Sequence, residues 1–101
     1  MNWATTQEII ADWAKKTFKD STILSNIAHL RDEIDEIEES PDNIEEWADV
    51  IILYMNAAYY SGHSMDDILI AVHKKFEKNK NRSWGEPDER GVVKHINKRR
   101  M

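Results

Sequence analysis

Apolar residues in the middle of this chain return every three or four positions. Ile23, Ile27, Leu30, Ile34 and Ile37 form one stripe of that period, which belongs to a helix and not to a strand. No segment alternates apolar and polar residues one by one, so the expected fold class is all-α. Only three glycines and two prolines punctuate the 101 residues, and they fall where helices should end. A first helix reads over 3–19, with Trp3, Ile9, Ile10, Trp13 and Phe18 at mixed helical spacing. Asp20 and Ser21 are N-cap candidates for a second helix over 22–39. Ser40-Pro41 is expected to open a third, with Ser as N-cap and Pro at the first helical position, running to about Ser61. Gly62 is a natural C-cap. Ser64, with Asp67 three residues on, opens a fourth helix whose stripe is Met65, Ile68, Leu69, Val72 and Phe76. Trp84-Gly85-Glu86-Pro87-Asp88 ends that helix, and residues 89–98 are expected to add a short one through Val92, Val93 and Ile96. The expectation is a four-helix core with a short C-terminal helical tail, in a single domain over residues 1–101.

Carboxylates sit on this frame in a pattern that needs a reason. Glu33 and Glu36 are three apart on the second helix, and Glu46 and Asp49 are three apart on the third. Residues at that spacing project from nearly one face. If the two helices pack antiparallel, both pairs can face one gap. Like charges so placed repel unless a cation lies among them. All-oxygen ligation suits Mg2+ or Mn2+ rather than zinc. The competing reading is a solvated acidic face, which is common on glutamate-rich helices. Asp49 argues for the cation, because it interrupts the apolar run Trp47, Ala48, Val50, Ile51, Ile52, Leu53 and should be poorly solvated there. That run makes the third helix apolar almost all round, and a face that four short helices cannot cover predicts a dimer or larger assembly.

Other polar residues allow two readings each. His29 lies one turn before Glu33, where it can meet a phosphate, orient a carboxylate, or simply pack. Asn56 lies two turns after Asp49, where its amide can complete a metal shell or make a structural hydrogen bond. Lys75, Asn79 and Arg82 continue the buried face of the fourth helix and offer donors to phosphate oxygens, or else form an ordinary wet helix end. Trp84 beyond them can stack on a base or close a subunit contact.

Composition removes other chemistries. There is no cysteine, so zinc–thiolate sites and disulfides are excluded. No Gly-rich phosphate loop and no Ser-His-Asp arrangement is evident, so bound phosphates would need metal and long cationic side chains. The net charge is −5, with acids concentrated between residues 32 and 49, whereas the C-terminal third carries Lys74, Lys75, Lys78, Lys80, Arg82, Lys94, Lys98, Arg99 and Arg100. That asymmetry fits an anionic ligand held through metal. It also fits an alternative: a non-catalytic helical oligomeric module that binds a protein or nucleic-acid partner through the basic segment. No apolar run approaches membrane-spanning length and no secretory signal is visible, so a cytoplasmic location is expected.

These residues resemble a known family. Glu33-x-x-Glu36 followed by Glu46-x-x-Asp49 is similar to the signature of the all-α MazG-like nucleoside triphosphate pyrophosphohydrolases. The stretches His29-Leu30-Arg31-x-Glu33-Ile34-x-Glu36 and Pro41-Asp42-x-x-Glu45-Glu46-Trp47-x-Asp49, then Lys75-x-x-x-Asn79-x-x-Arg82-x-Trp84, resemble the dATP/dGTP pyrophosphohydrolase branch that includes phage enzymes of the MazZ type. The resemblance covers about residues 13 to 96. It implies a four-helix core, assembled as a homodimer or homotetramer. It implies Mg2+ or Mn2+ held by Glu33, Glu36, Glu46 and Asp49, which would be both the metal ligands and the catalytic set. The reaction would hydrolyse a purine deoxynucleoside triphosphate (dATP or dGTP) to the monophosphate and pyrophosphate. Lys75, Asn79, Arg82, Trp84 and His29 would contact the phosphates or the nucleotide. The segment Gly85-Glu86-Pro87-Asp88 lacks the second Trp that family relatives often carry there.

Overall fold

The structure is a computed structural model that describes residues 2–96. It contains four helices, α1 (Trp3–Thr17), α2 (Ile23–Glu39), α3 (Ile44–Tyr60) and α4 (Met65–Lys80), and among the described residues there is no strand. No helix is long and apolar enough to cross a membrane. The chain divides into two compact units, one ending at Leu69 and the other beginning at Ile70.

In the first unit α2 lies along α3, and α3 also packs on α1. Asn26 of α2 meets Asn56 of α3, while Glu33 of α2 gathers with Glu46 and Asp49 of α3. Later residues of one helix therefore pair with earlier residues of the other, and the two run antiparallel. Ala11, Ala14 and Ala57 are buried, with Met55 and Met65 beside them. Small side chains at these positions let backbones approach closely.

The ends of the helices correct the sequence-based boundaries in two places. Asp20 and Ser21 do not cap α2. Thr22 does, accepting from the Ser25 amide at 3.0 Å while the Ser25 hydroxyl accepts from the Thr22 amide at 2.8 Å. This reciprocal pair is a capping box with serine in place of the usual glutamate. Ser40-Pro41 does not open α3 either. Ser40 closes α2, its amide donating to the Glu36 carbonyl at 3.0 Å, and the turn delays α3 until Asn43 can cap it. Trp47 holds that turn by donating its indole N–H to the Pro41 carbonyl at 2.9 Å. The end of α3 is as expected: Gly62 adopts φ 85°, and the His63 amide reaches back to Ala58 while the Gly62 amide reaches Tyr59. That is a Schellman closure, and the positive φ suits glycine. Ser64 caps α4 through the Asp67 amide at 3.1 Å.

In the second unit the expected terminal helix is absent over the described residues 89–96. The chain turns at Asp88, whose carboxylate accepts from the amides of Arg90 and Val92, and Gly91 takes φ 81°. These donors, Val92 first, hold the Asp88 carboxyl below its ordinary range. The chain then returns to form an isolated antiparallel bridge between Trp84 and His95. The β-branched residues Val92 and Val93 suit this extended return better than a helix. Residues 97 and 98 of the expected helix, with Arg99 and Arg100, lie outside the described residues.

One residue that the apolar pattern conceals ties the first unit together. Gln7 is 2% exposed. Its amide nitrogen donates to the carbonyls of Met55 at 3.1 Å and His63 at 3.0 Å, and its oxygen accepts from the Met65 amide at 2.9 Å. One side chain thus joins α1 to the end of α3, the following turn and the start of α4. Gln7→Leu removes three hydrogen bonds to the backbone, two of them buried, and should cost about 3 kcal/mol in urea unfolding; a loss under about 1 kcal/mol, the size of one ordinary hydrogen bond, would show that the backbone finds other partners.

Candidate active site

Glu33, Glu46 and Asp49 each bring a carboxylate oxygen to within 4.8 Å of the others. Local sequence explains why. Glu46 falls in the first turn of α3 because Asn43 caps that helix, and the free amides there favour a negative charge. Asp49 follows on the same face. Glu33 reaches them from antiparallel α2. His29, one turn earlier, sets Nε2 3.3 Å from the Glu33 carboxylate. Glu36 is exposed and stands outside the triad, yet it acts on it. The Glu46 carboxyl is pushed above its ordinary range, first by partial desolvation and next by the charge of Glu36, with Asp49, Glu33 and Glu45 adding to it.

One sequence expectation is corrected here. Asp49 is exposed rather than starved of solvent. Its apolar neighbours do not cover it: Trp47, Ile51 and Ile52 are themselves 40 to 51% exposed. The all-round apolarity of α3 therefore describes uncovered surface, and the case for a cation rests on convergence of the acids rather than on burial.

The donor set is all carboxylate, which suits a hard divalent cation such as Mg2+ or Mn2+. Beside it opens a cavity of about 520 Å3 whose wall includes Glu33, Asp49 and His29. That volume suits a small-molecule ligand. Along the same wall lie Trp13 and Phe18, edge to face with ring centres 5.3 Å apart, and the buried amides Asn26 and Asn56. The aromatic pair and Asn26 carried no functional signal in the sequence, since Trp and Phe at helical spacing read as core and an asparagine near a helix start reads as a cap.

The remaining predicted residues lie in the second unit. Arg82 donates to the Asn79 side chain at 3.3 Å and approaches the His95 ring at 3.5 Å. The Trp84 indole donates to the Asn79 carbonyl at 3.0 Å and meets His95 edge to face. Asn79, Arg82 and Trp84 are thus gathered as one group, to which the structure adds His95; Lys75 is exposed on α4. His95 was not legible beforehand because it arrives through the return of the chain after Asp88.

Repulsion at Glu46 has a measurable sign. A carboxyl whose folded pKa is raised destabilises the fold once ionised, so Glu46's own contribution to metal-free stability declines as pH rises through the carboxylate range. Glu46→Gln removes that penalty and should raise the melting temperature in chelator at neutral pH. The same variant should lose most of the rise that Mn2+ gives the unaltered chain. Differential scanning calorimetry with and without Mn2+ reads both effects, and a variant that melts lower in chelator would refute the strain.

Comparison with known proteins accords with this geometry. Residues 6–100 match the family model described as dATP/dGTP pyrophosphohydrolase. A dATP/dGTP diphosphohydrolase of Salmonella phage PMBT28 is 34% identical over 94 residues, covering 92% of this chain and 31% of the relative. The chain therefore spans about a third of that curated relative's length. Among solved structures, a cyanophage S-2L MazG-like pyrophosphohydrolase bound to dGDP and three catalytic Mn2+ ions per active site superposes with a TM-score of 0.81 at 32% identity, covering 96% of this chain and 99% of that one. Four helices, an acid triad at the edge of a ligand-sized cavity, and a match over nearly the whole length place this chain in the dATP/dGTP pyrophosphohydrolase family, with the all-α MazG-like fold.

Proposed function

We propose that this chain hydrolyses a purine deoxynucleoside triphosphate to the monophosphate and pyrophosphate in the presence of Mg2+ or Mn2+, acting as one MazG-like pyrophosphohydrolase domain. The observation that carries the reading is the Glu33–Glu46–Asp49 convergence at the edge of an aromatic-walled cavity, in a chain of this family. The family match also favours catalysis over a non-catalytic binding module. Glu33, Glu46 and Asp49 would hold the cation, with Glu36 beside them. When bound, the cation would neutralise phosphate oxygens and make a nearby water more acidic. Water oxygen then bonds to the α-phosphorus as the bond to the bridging oxygen breaks, and pyrophosphate departs with that oxygen. Glu36, exposed and outside the triad, is suited to receive the water's proton. His29 acts through Glu33 by fixing its carboxylate. On the strength of the sequence motif, Lys75, Asn79, Arg82 and Trp84 are assigned to the phosphates or the nucleotide.

Self-association is part of the same proposal. Five apolar side chains are buried among the described residues, and three of these are alanine. Trp47, Ile51, Ile52 and Tyr54 on α3 stay 40% exposed or more. So small a core gives a short chain little stability alone, and a second copy would cover what this one leaves open. A homodimer or homotetramer is expected, with the host cytoplasm as its site of action if the gene is viral. Light scattering at micromolar concentration checks the assembly, and a sharp monomer peak would contradict it.

Product analysis checks the chemistry. Incubation with dATP or dGTP and Mn2+ should release pyrophosphate and the monophosphate, and chelator should stop it. Release of inorganic phosphate alone would instead indicate a phosphatase. Asp49→Asn and Glu46→Gln should each lower turnover by about 100-fold or more, since even outer-shell partners of a bound metal can matter that much, and His29→Ala by about 10-fold. Undiminished release by Asp49→Asn would remove the triad from the reaction.

A further inference from the structure

We infer that Asn56 reads the base of the bound nucleotide, its Oδ1 accepting a hydrogen bond from an N–H on the base edge at the aromatic end of the cavity. The inference rests on the nucleotide reading above and names the residue that would select the base.

A backbone carbonyl fixes the orientation of two amides. Asn26 is 5% exposed, and one face of its amide meets the Thr22 carbonyl at 2.7 Å. A carbonyl only accepts, so the nitrogen of Asn26 must face it. The same nitrogen also donates to the Ser21 hydroxyl at 2.9 Å. The oxygen of Asn26 is thereby turned toward α3, where it accepts from the Asn56 nitrogen at 2.9 Å. Asn56 has no choice of orientation left. Its own Oδ1 is buried and without a partner, and it is the one side-chain polar atom so placed among the described residues. A buried acceptor that no protein donor satisfies is costly, and such an atom in a native fold calls for a reason.

Position supplies the reason. Asn26 and Glu33 are seven residues apart on α2, as Asp49 and Asn56 are on α3. Two helical turns separate each pair, roughly 10 Å along the axis. The amide pair and the acid triad therefore lie two turns apart along one antiparallel seam, and both amides line the same cavity as Glu33 and Asp49 of the triad. A nucleotide whose α-phosphate lies by the triad extends its base toward the amides. There Trp13 and Phe18 also line the wall, and aromatic faces stack on any base. Both side chains are more than half exposed, so they have room to shift and admit the base edge to Oδ1. Adenine offers its N6 amine to such an acceptor, and guanine offers its N1 imino and N2 amino groups. One fixed acceptor accounts for admission of both purines.

The test compares purine bases with and without such a donor. Dissociation constants are measured with Mn2+ for non-hydrolysable α,β-imido deoxynucleoside triphosphates carrying adenine, guanine or unsubstituted purine, which has no N–H on that edge. The unaltered protein should bind the first two about 10- to 100-fold more tightly, the range expected when a buried acceptor goes unpaired. Asn56→Leu should bring the three to parity. Asn26→Leu should narrow the gap as well, because it frees the Asn56 amide to turn while leaving it in place. This gives a second readout if Asn56→Leu does not fold. Equal affinities in the unaltered protein overturn the inference, as does a preference that survives both substitutions. Pyrophosphate release from dATP and dGTP is followed separately. A base preference without release sustains this inference and sinks the hydrolytic reading, release without preference does the reverse, and failure to bind any analogue defeats both.

Discussion

The register of α2 against α3 is the constraint on which the first unit depends. Antiparallel packing in that register sets Asn26 against Asn56 and, two turns along, Glu33 against Glu46 and Asp49. A slip of one residue would rotate each helix by about 100° against its partner and scatter both groups. Apolar packing alone resists such slips weakly, because one isoleucine replaces another at modest cost. A buried amide pair whose polarity is set by a backbone carbonyl resists them strongly, in the way that a buried asparagine specifies register in coiled coils. The same pair thus serves alignment of the acids and leaves one buried acceptor without a protein partner.

Stability and function oppose each other at this seam. The acids that converge there disfavour one another, and Glu46 feels it most because it loses solvent as well as facing four like charges. The free amides at the start of α3 offset part of that repulsion. The rest of the unit has little reserve: its buried apolar residues are mostly alanines, and Gln7 does with three hydrogen bonds what a larger core would do by packing. A chain so arranged gains from anything that binds only its folded form, whether cation, nucleotide or a second copy.

The second unit is built on different terms. Asp88 gathers two amides and the Arg90 guanidinium around one carboxylate, and the turn it makes brings His95 to Trp84 and Arg82. A polar turn rather than helical periodicity decides the path of the chain here, and for that reason the apolar triplet Val92, Val93, Ile96 misleads as a helical stripe.

What the sequence alone determined follows from short-range physics. The stripe Ile23–Ile37, the Gly62 closure and the Ser64 cap are local, so four helices and most of their ends were legible. The spacing of Glu33, Glu36, Glu46 and Asp49 marked the acid cluster, since residues three apart share a face on any helix. Tertiary structure decided everything that needs two helices at once. It placed Asp49 in solvent, left Glu36 outside the triad and turned Trp13 and Phe18 into the wall of a cavity. It also made Gln7 a tie between elements. Solvation and hydrogen-bond partnership are properties of neighbours in space, and no periodicity along one chain encodes which neighbour arrives or which amide atom it meets.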